Sequence, residues 1–169
     1  MITNVTLTTK EKFLLEDQKT EEQICIQKYS NYANLATDSE LKNILNSNKK
    51  QEEEHLNTIN QLLSGKVPSM KNSQGSSSQS SNNSSEQSTD TSSESSQSRA
   101  SSVFQASDKD LCTDLLMTEK FVSGTYNTAI FEFKDPQVRD VLNHIQKEEQ
   151  KHGESIYKYM ESKGMYNPK

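Results

Sequence analysis

The sequence predicts an all-α fold, an antiparallel four-helix bundle built from two copies of one helical hairpin. The first observation behind this is an internal repeat. Moved back by 97 positions, the second half aligns with the first without a gap: Leu14 falls on Leu111, Asp17 on Asp114, Tyr29 on Tyr126, Asp38 on Asp135, Leu45-Asn46 on Leu142-Asn143 and Ile59 on Ile156. The second is a shift in composition. From Lys71 to Arg99 no side chain is aliphatic, aromatic or sulfur-containing, and Ser73–Ser98 is more than half serine. Such a stretch cannot bury enough apolar surface to offset its ordering entropy. It predicts a serine-rich disordered linker over 66–106, with hairpins at 8–65 and 107–164 that close on each other as one bundle domain. The third is periodicity, which is helical in both halves and nowhere that of a strand.

Each element follows in turn. The first helix carries an inward stripe of Leu15, Gln18, Glu22, Cys25, Tyr29, Tyr32 and Ala36. Asp38-Ser39 then divides it from a second helix, because Asp is a good N-cap. That helix presents Leu41, Leu45, Asn48, Glu52, His55, Ile59 and Leu62, and should stop at Gly65, the first glycine of the chain. The third helix presents Cys112, Leu115, Glu119, Val122, Tyr126, Ala129 and Phe133. Asp135-Pro136 opens the fourth, with the cap followed by proline at the first helical position. Its stripe is Val138, Leu142, Ile145, Glu149, His152, Ile156 and Tyr159. Four helices of about 27 residues would each be about 40 Å long. A two-fold axis between the hairpins places their turns at opposite ends. The chain must then run the length of the bundle between the second and third helices, which takes at least about 12 extended residues.

Composition excludes several functions. A net charge of −5 without a Lys/Arg cluster argues against nucleic acid as a partner. No apolar run is long enough for membrane insertion, and MITNVTLTTKEK lacks the apolar core of a signal peptide, which predicts a chain made in the cytoplasm. Cys25 and Cys112, the two cysteines, stand apart and are expected as buried free thiols.

The chemistry lies in the stripes. Of three histidines, two follow a glutamate by three residues, as Glu52-x-x-His55 and Glu149-x-x-His152, and the two pairs are related by the repeat. Glu22 and Glu52 lie equally far from the first turn, and Glu119 and Glu149 equally far from the second, so all four should share a level near mid-bundle. An unpaired buried carboxylate is costly, and four of them need compensation. One glutamate from each of two helices plus a Glu-x-x-His from each of the other two is the di-metal ligand set of ferritin-like bundles. Carboxylate oxygen with imidazole nitrogen suits a di-iron or di-manganese centre, and the lack of clustered cysteines argues against a thiolate zinc site. The expected metal ligands are therefore Glu22, Glu52, His55, Glu119, Glu149 and His152, holding two cations about 3.5–4 Å apart. Two other readings stay open, exposed polar positions and the remnant of a site that no longer binds metal. Tyr29 and Tyr126 read as core aromatics, with a place beside a metal as the alternative.

The third helix, DKDLCTDLLMTEKFVSGTYNTAIFEF, and the fourth, DPQVRDVLNHIQKEEQKHGESIYKYMESKGMY, resemble the spore coat protein F family of endospore-forming bacteria. The resemblance rests on the D-x-L-x-x-E-K start at Asp114–Lys120, on Tyr126 and on the closing Gly164-Met165-Tyr166. The first half looks like the companion hairpin of clostridial members. The resemblance implies a ferritin-like bundle, a place in the spore coat and other coat proteins as partners, and it implies no proven catalytic activity. It points to a structural coat component, with a homo-oligomer as a further option, while the residues themselves point to a di-metal redox protein, catalase-like or ferroxidase-like. A third reading is a binding module whose polar core only fixes helix register.

Overall fold

The computed structural model describes residues 3–68 and 106–168. The serine-rich crossover expected from the sequence lies outside these residues. Four helices make up the bundle: α1 Thr9–Leu35, α2 Ser39–Leu63, α3 Asp108–Glu132 and α4 Pro136–Ser162. The first residues assigned to the linker, Lys66–Val67 (β2), pair antiparallel with Thr3–Asn4 (β1). This two-residue pairing fastens the chain before α1 to the chain after α2, with Val67 buried beneath it. The protein is otherwise helical among the described residues.

Each helix begins where its sequence supplies a cap. Thr8 and Ser107 form capping boxes, the first with Glu11 and the second with Asp110. Asp38 accepts from the Glu40 amide at 2.8 Å, and Asp135 accepts from Gln137 at 2.8 Å with Pro136 following it. α2 and α4 end one residue before a cap that leads into Gly65 (φ 78°) and Gly164 (φ 68°). Glycine takes that left-handed conformation without penalty. At Gly65 a Cβ would also stand 2.9 Å from the Val5 carbonyl oxygen, so the turn into β2 has no room for a side chain.

Each hairpin packs α1 against α2 or α3 against α4, and α1 runs antiparallel to α3. Lys10 reaches Glu132 at 2.6 Å near one end of that pair, and Lys28 reaches Asp114 at 2.7 Å toward the other. The two turns therefore lie at opposite ends. The predicted stripes of α2, α3 and α4 are buried throughout. In α1 the stripe bends by one residue: Ala33 is buried, whereas Tyr32 is half-buried and sends its hydroxyl to Asp114 at 2.8 Å. A tyrosine at a helix–helix margin can bury its ring and still reach a polar partner. Leu41, Leu45, Leu115 and Ile156 fill the core toward the α1–α2 turn, and Leu15, Ile59, Leu62 and Leu142 fill it toward the other end. At about 1.5–3 kcal/mol for each fully buried side chain, these layers are what can offset a polar level between them.

Candidate metal centre

Between the apolar layers, all six residues expected from the sequence meet. Glu22 comes from α1, Glu52 and His55 from α2, Glu119 from α3, Glu149 and His152 from α4, and none is more than 5% exposed. Three-residue spacing puts each histidine one turn beyond its glutamate on the same face. The six form two overlapping groups whose donor atoms lie within 4.8 Å of one another. One is Glu22, Glu52, His55 and Glu149; the other is Glu52, Glu119, Glu149 and His152. Glu52 and Glu149 belong to both. The repeat exchanges the two groups, so the centre is two-fold symmetric like the bundle that holds it.

Both histidines turn Nδ1 inward. His55 Nδ1 stands 2.9 Å from Glu149 Oε1, 3.3 Å from Glu52 Oε2 and 3.7 Å from Glu22 Oε2. His152 Nδ1 stands 3.1 Å from Glu52 Oε1, 3.5 Å from Glu149 Oε2 and 3.8 Å from Glu119 Oε2. The two rings stack with centroids 5.6 Å apart. Each ring nitrogen thus faces three carboxylates, although a single N–H can serve only one acceptor well. The 2.9 Å approach to Glu149 lies off the hydrogen-bonding direction, and Glu22 Oε2, Glu119 Oε2 and both oxygens of Glu149 have no hydrogen-bond partner among the described residues. Buried carboxylate oxygens left in this state are expensive, and cations placed among them would satisfy them. On that ground the donor set could hold metal ions.

The outer oxygens are held by the opposite hairpin. Tyr126 of α3 donates its hydroxyl to Glu22 Oε1, and Tyr29 of α1 donates to Glu119 Oε1. Burial and the neighbouring carboxylate push both phenols well above their ordinary value, which keeps them protonated as donors. Glu22 and Glu119 are each left with one free oxygen facing the centre. Asn48 of α2 adds a contact of 3.3 Å to the Tyr29 hydroxyl and one of 3.2 Å to Ser155 of α4. His55 Nε2 lies 3.1 Å from Glu148 Oε2, which also accepts from Gln51 at 2.6 Å. A carboxylate behind an imidazole fixes its tautomer and strengthens its inner nitrogen as a ligand.

Burial and the neighbouring charges set where protons sit within the cluster. Burial, with the neighbouring carboxylates, drives Glu22 and Glu119 well above the usual carboxylate range. Burial acts the same way on Glu52 and Glu149, but the adjacent His152 and His55 rings outweigh it and hold both below that range. Burial would neutralise the histidines, yet the surrounding glutamates outweigh it, raising His55 strongly and His152 to about 9. The shifts thus favour protons on Glu22, Glu119 and the two histidines and negative charge on Glu52 and Glu149.

Sequence periodicity did not find the tyrosine–glutamate pairs, because each joins different hairpins. It also missed Glu148, which neighbours a ligand in sequence but serves the histidine of the opposite hairpin. The repeat held a usable signal for the tyrosines, since both tyrosine and glutamate recur at the same offset.

The fold and site together define a four-helix bundle with a buried, two-fold symmetric carboxylate–histidine centre. Residues 107–169, which include α3 and α4, match the family model of the Coat F domain. This agrees with the resemblance of these helices to the spore coat protein F family, and it puts Glu119, Glu149 and His152 inside the matched segment. No curated protein and no solved structure matches the chain.

Proposed function

We propose that the protein is a structural component of the bacterial endospore coat whose ferritin-like bundle holds two iron or manganese ions. The coat assignment rests on the Coat F domain at 107–169. The metal assignment rests on one observation: buried carboxylate oxygens of Glu22, Glu119 and Glu149 lie without partners among the described residues, around two inward-facing histidine nitrogens. In this reading Glu22, Glu52, His55 and Glu149 would hold one ion and Glu52, Glu119, Glu149 and His152 the other, with Glu52 and Glu149 common to both groups. Tyr126 and Tyr29 fix the outer glutamates, and Glu148 fixes His55. Exposed Phe13, Met117, Phe121 and Phe131 offer apolar surface for packing with other coat proteins or with a second copy. No helix among the described residues is long and apolar enough to cross a membrane.

Ligands on all four helices tie both hairpins together, so metal binds the assembled bundle and not the unfolded chain. At a metal concentration about a hundredfold above Kd this adds about 2.7 kcal/mol, roughly 10 °C in Tm. Chelation should lower the Tm of wild type by that order and leave a Glu52→Ala, Glu149→Ala double variant unchanged. Elemental analysis of the purified protein should find two iron or manganese ions per chain. Absence of metal and of any chelator response would sink the metal assignment and favour a remnant site. Recovery from the coat fraction of purified spores tests the other half. Abundance in growing cells with absence from spores would make the second reading, a di-metal oxidoreductase, the leading one. That reading is favoured by the open carboxylate oxygens, because bound iron or manganese would supply redox chemistry toward peroxide or ferrous iron.

A further inference from the structure

The repeat makes the two halves of the centre equivalent, but their surroundings are not. On the outer side of α3 and α4 lies a cavity of about 570 Å³ lined by Leu116, Glu119, Ser123, Glu149, Gly153 and Tyr157, among others. Two of these, Glu119 and Glu149, belong to the second carboxylate–histidine group and carry unpartnered buried oxygens. At the equivalent places of the first hairpin, 97 residues earlier, Gly153 is replaced by Leu56 and Ser123 by Ile26, both partly buried. The cavity thus lies where the repeat has exchanged two branched aliphatic side chains for a hydrogen and a hydroxymethyl group.

Gly153 has no backbone reason to be glycine. It lies inside α4, and its φ is not in the left-handed region. A Cβ there would meet only Leu116 Cδ1 at 3.7 Å and Glu119 Cβ at 3.8 Å, which is ordinary contact. A glycine in a helix interior is costly relative to alanine. What its missing side chain leaves is open space beside Glu119, next in sequence to the ligand His152.

We propose that this cavity is the entry and binding site for a small exogenous ligand of the metal centre, a two- or three-atom species of the peroxide and azide class. The ligand would enter between α3 and α4 toward Glu119 and Glu149, whose carboxylates lie buried beneath the wall of the cavity. Leu116 and Gly153 give it an apolar wall, and Lys120 and Glu154 stand in the lining as charged groups. The first hairpin has Leu56 and Ile26 at the equivalent places, so the proposed access favours the Glu119 and His152 side over the Glu22 and His55 side. The proposal rests on the metal reading above.

The test uses full-length protein loaded with Co(II), whose visible bands report added ligands, and azide as the probe. Wild type should take up Co(II) and show a saturable azide-dependent change. Gly153→Leu, copying the first hairpin, should keep Co(II) stoichiometry and Tm but weaken azide binding about tenfold or more. Ser123→Ile supplies an independent block should the first variant misfold. Phe13→Ala, at an exposed position outside the lining of the cavity, should leave azide affinity as in wild type. Unchanged azide binding in Gly153→Leu and Ser123→Ile would overturn the entry site while leaving the metal centre standing. A wild-type protein that takes up no Co(II) would overturn the metal reading and this one with it.

Discussion

Tyr126 and Tyr29 show how one side chain can do two jobs in this core. Each closes the contact between hairpins, and each takes one oxygen of a candidate ligand out of play so that the other faces inward. Groups that orient metal ligands in this way typically affect metal affinity by about 10–100-fold when mutated. Tyr126→Phe should therefore keep the fold, since it removes only an oxygen, and weaken Co(II) binding by about tenfold or more, measured by competition with a chromophoric chelator. Tyr29→Phe should act less strongly on the fold than on metal as well. It leaves the Asn48 amide, which now reaches both Tyr29 and Ser155, with Ser155 as its remaining partner. Equal Co(II) affinity in wild type and both variants would show that the phenols serve packing alone.

At the level of elements, the hairpins lock by exchanging caps. Asp108, in the first turn of α3, accepts from the Thr37 amide at 2.8 Å, the Thr37 hydroxyl at 2.8 Å and the Asp38 amide at 3.0 Å, all in the turn between α1 and α2. Its repeat partner Glu11, in the first turn of α1, accepts from the Lys134 amide at 3.0 Å in the turn between α3 and α4. Both carboxyls sit below their usual range because these donors outweigh burial. Each hairpin therefore ties down the other's turn, at opposite ends of the bundle. Asp108→Ala should cost about 1–2 kcal/mol, a discount for partial exposure from the usual value of a charged hydrogen bond. Glu11→Ala should cost at least as much, because Glu11 is buried and also closes the Thr8 capping box. The two costs should add in urea denaturation, as expected of separated sites without shared partners. Marked non-additivity would mean that the ends of the bundle communicate.

For the whole molecule the buried centre ties stability to pH. His152 is raised to about 9 in the folded chain from 6.5, and His55 is raised as well, so their contribution is complete below pH 6.5 and is lost as pH climbs toward 9. Glu22 and Glu119 are also raised, and the fold favours their protonated forms, so rising pH acts against the metal-free fold through them too. Glu52 and Glu149 have the opposite sign: they stabilise above their free value of 4.5, and that is lost only as pH falls, for Glu149 toward about 2. The chelated protein should accordingly lose Tm steadily from pH 6.5 to 9. With metal the decline should vanish, because cations replace the protons, and metal affinity should rise over the same range. A chelated protein whose Tm is flat across that window would contradict the imidazolium-balanced core.

Much of this protein was determined by its sequence alone. The repeat, the four helices, their caps and the level of Glu22, Glu52, His55, Glu119, Glu149 and His152 follow from local rules, because helical period and distance from a turn fix height and face without knowledge of any neighbour. The β1–β2 pairing was not legible, since two residues carry no period and their partner lies more than 60 positions away. Tertiary structure alone decided which oxygen of each glutamate stays free, because Tyr29 and Tyr126 reach across to the opposite hairpin. It also decided that Glu11 and Asp108 cap foreign turns, that Glu148 backs His55, and that Gly153 and Ser123 line a cavity beside Glu119 and Glu149. These are contacts between distant segments, and they depend on the angle and separation at which the hairpins pack. Periodicity places a side chain on a face; only packing decides what it meets there.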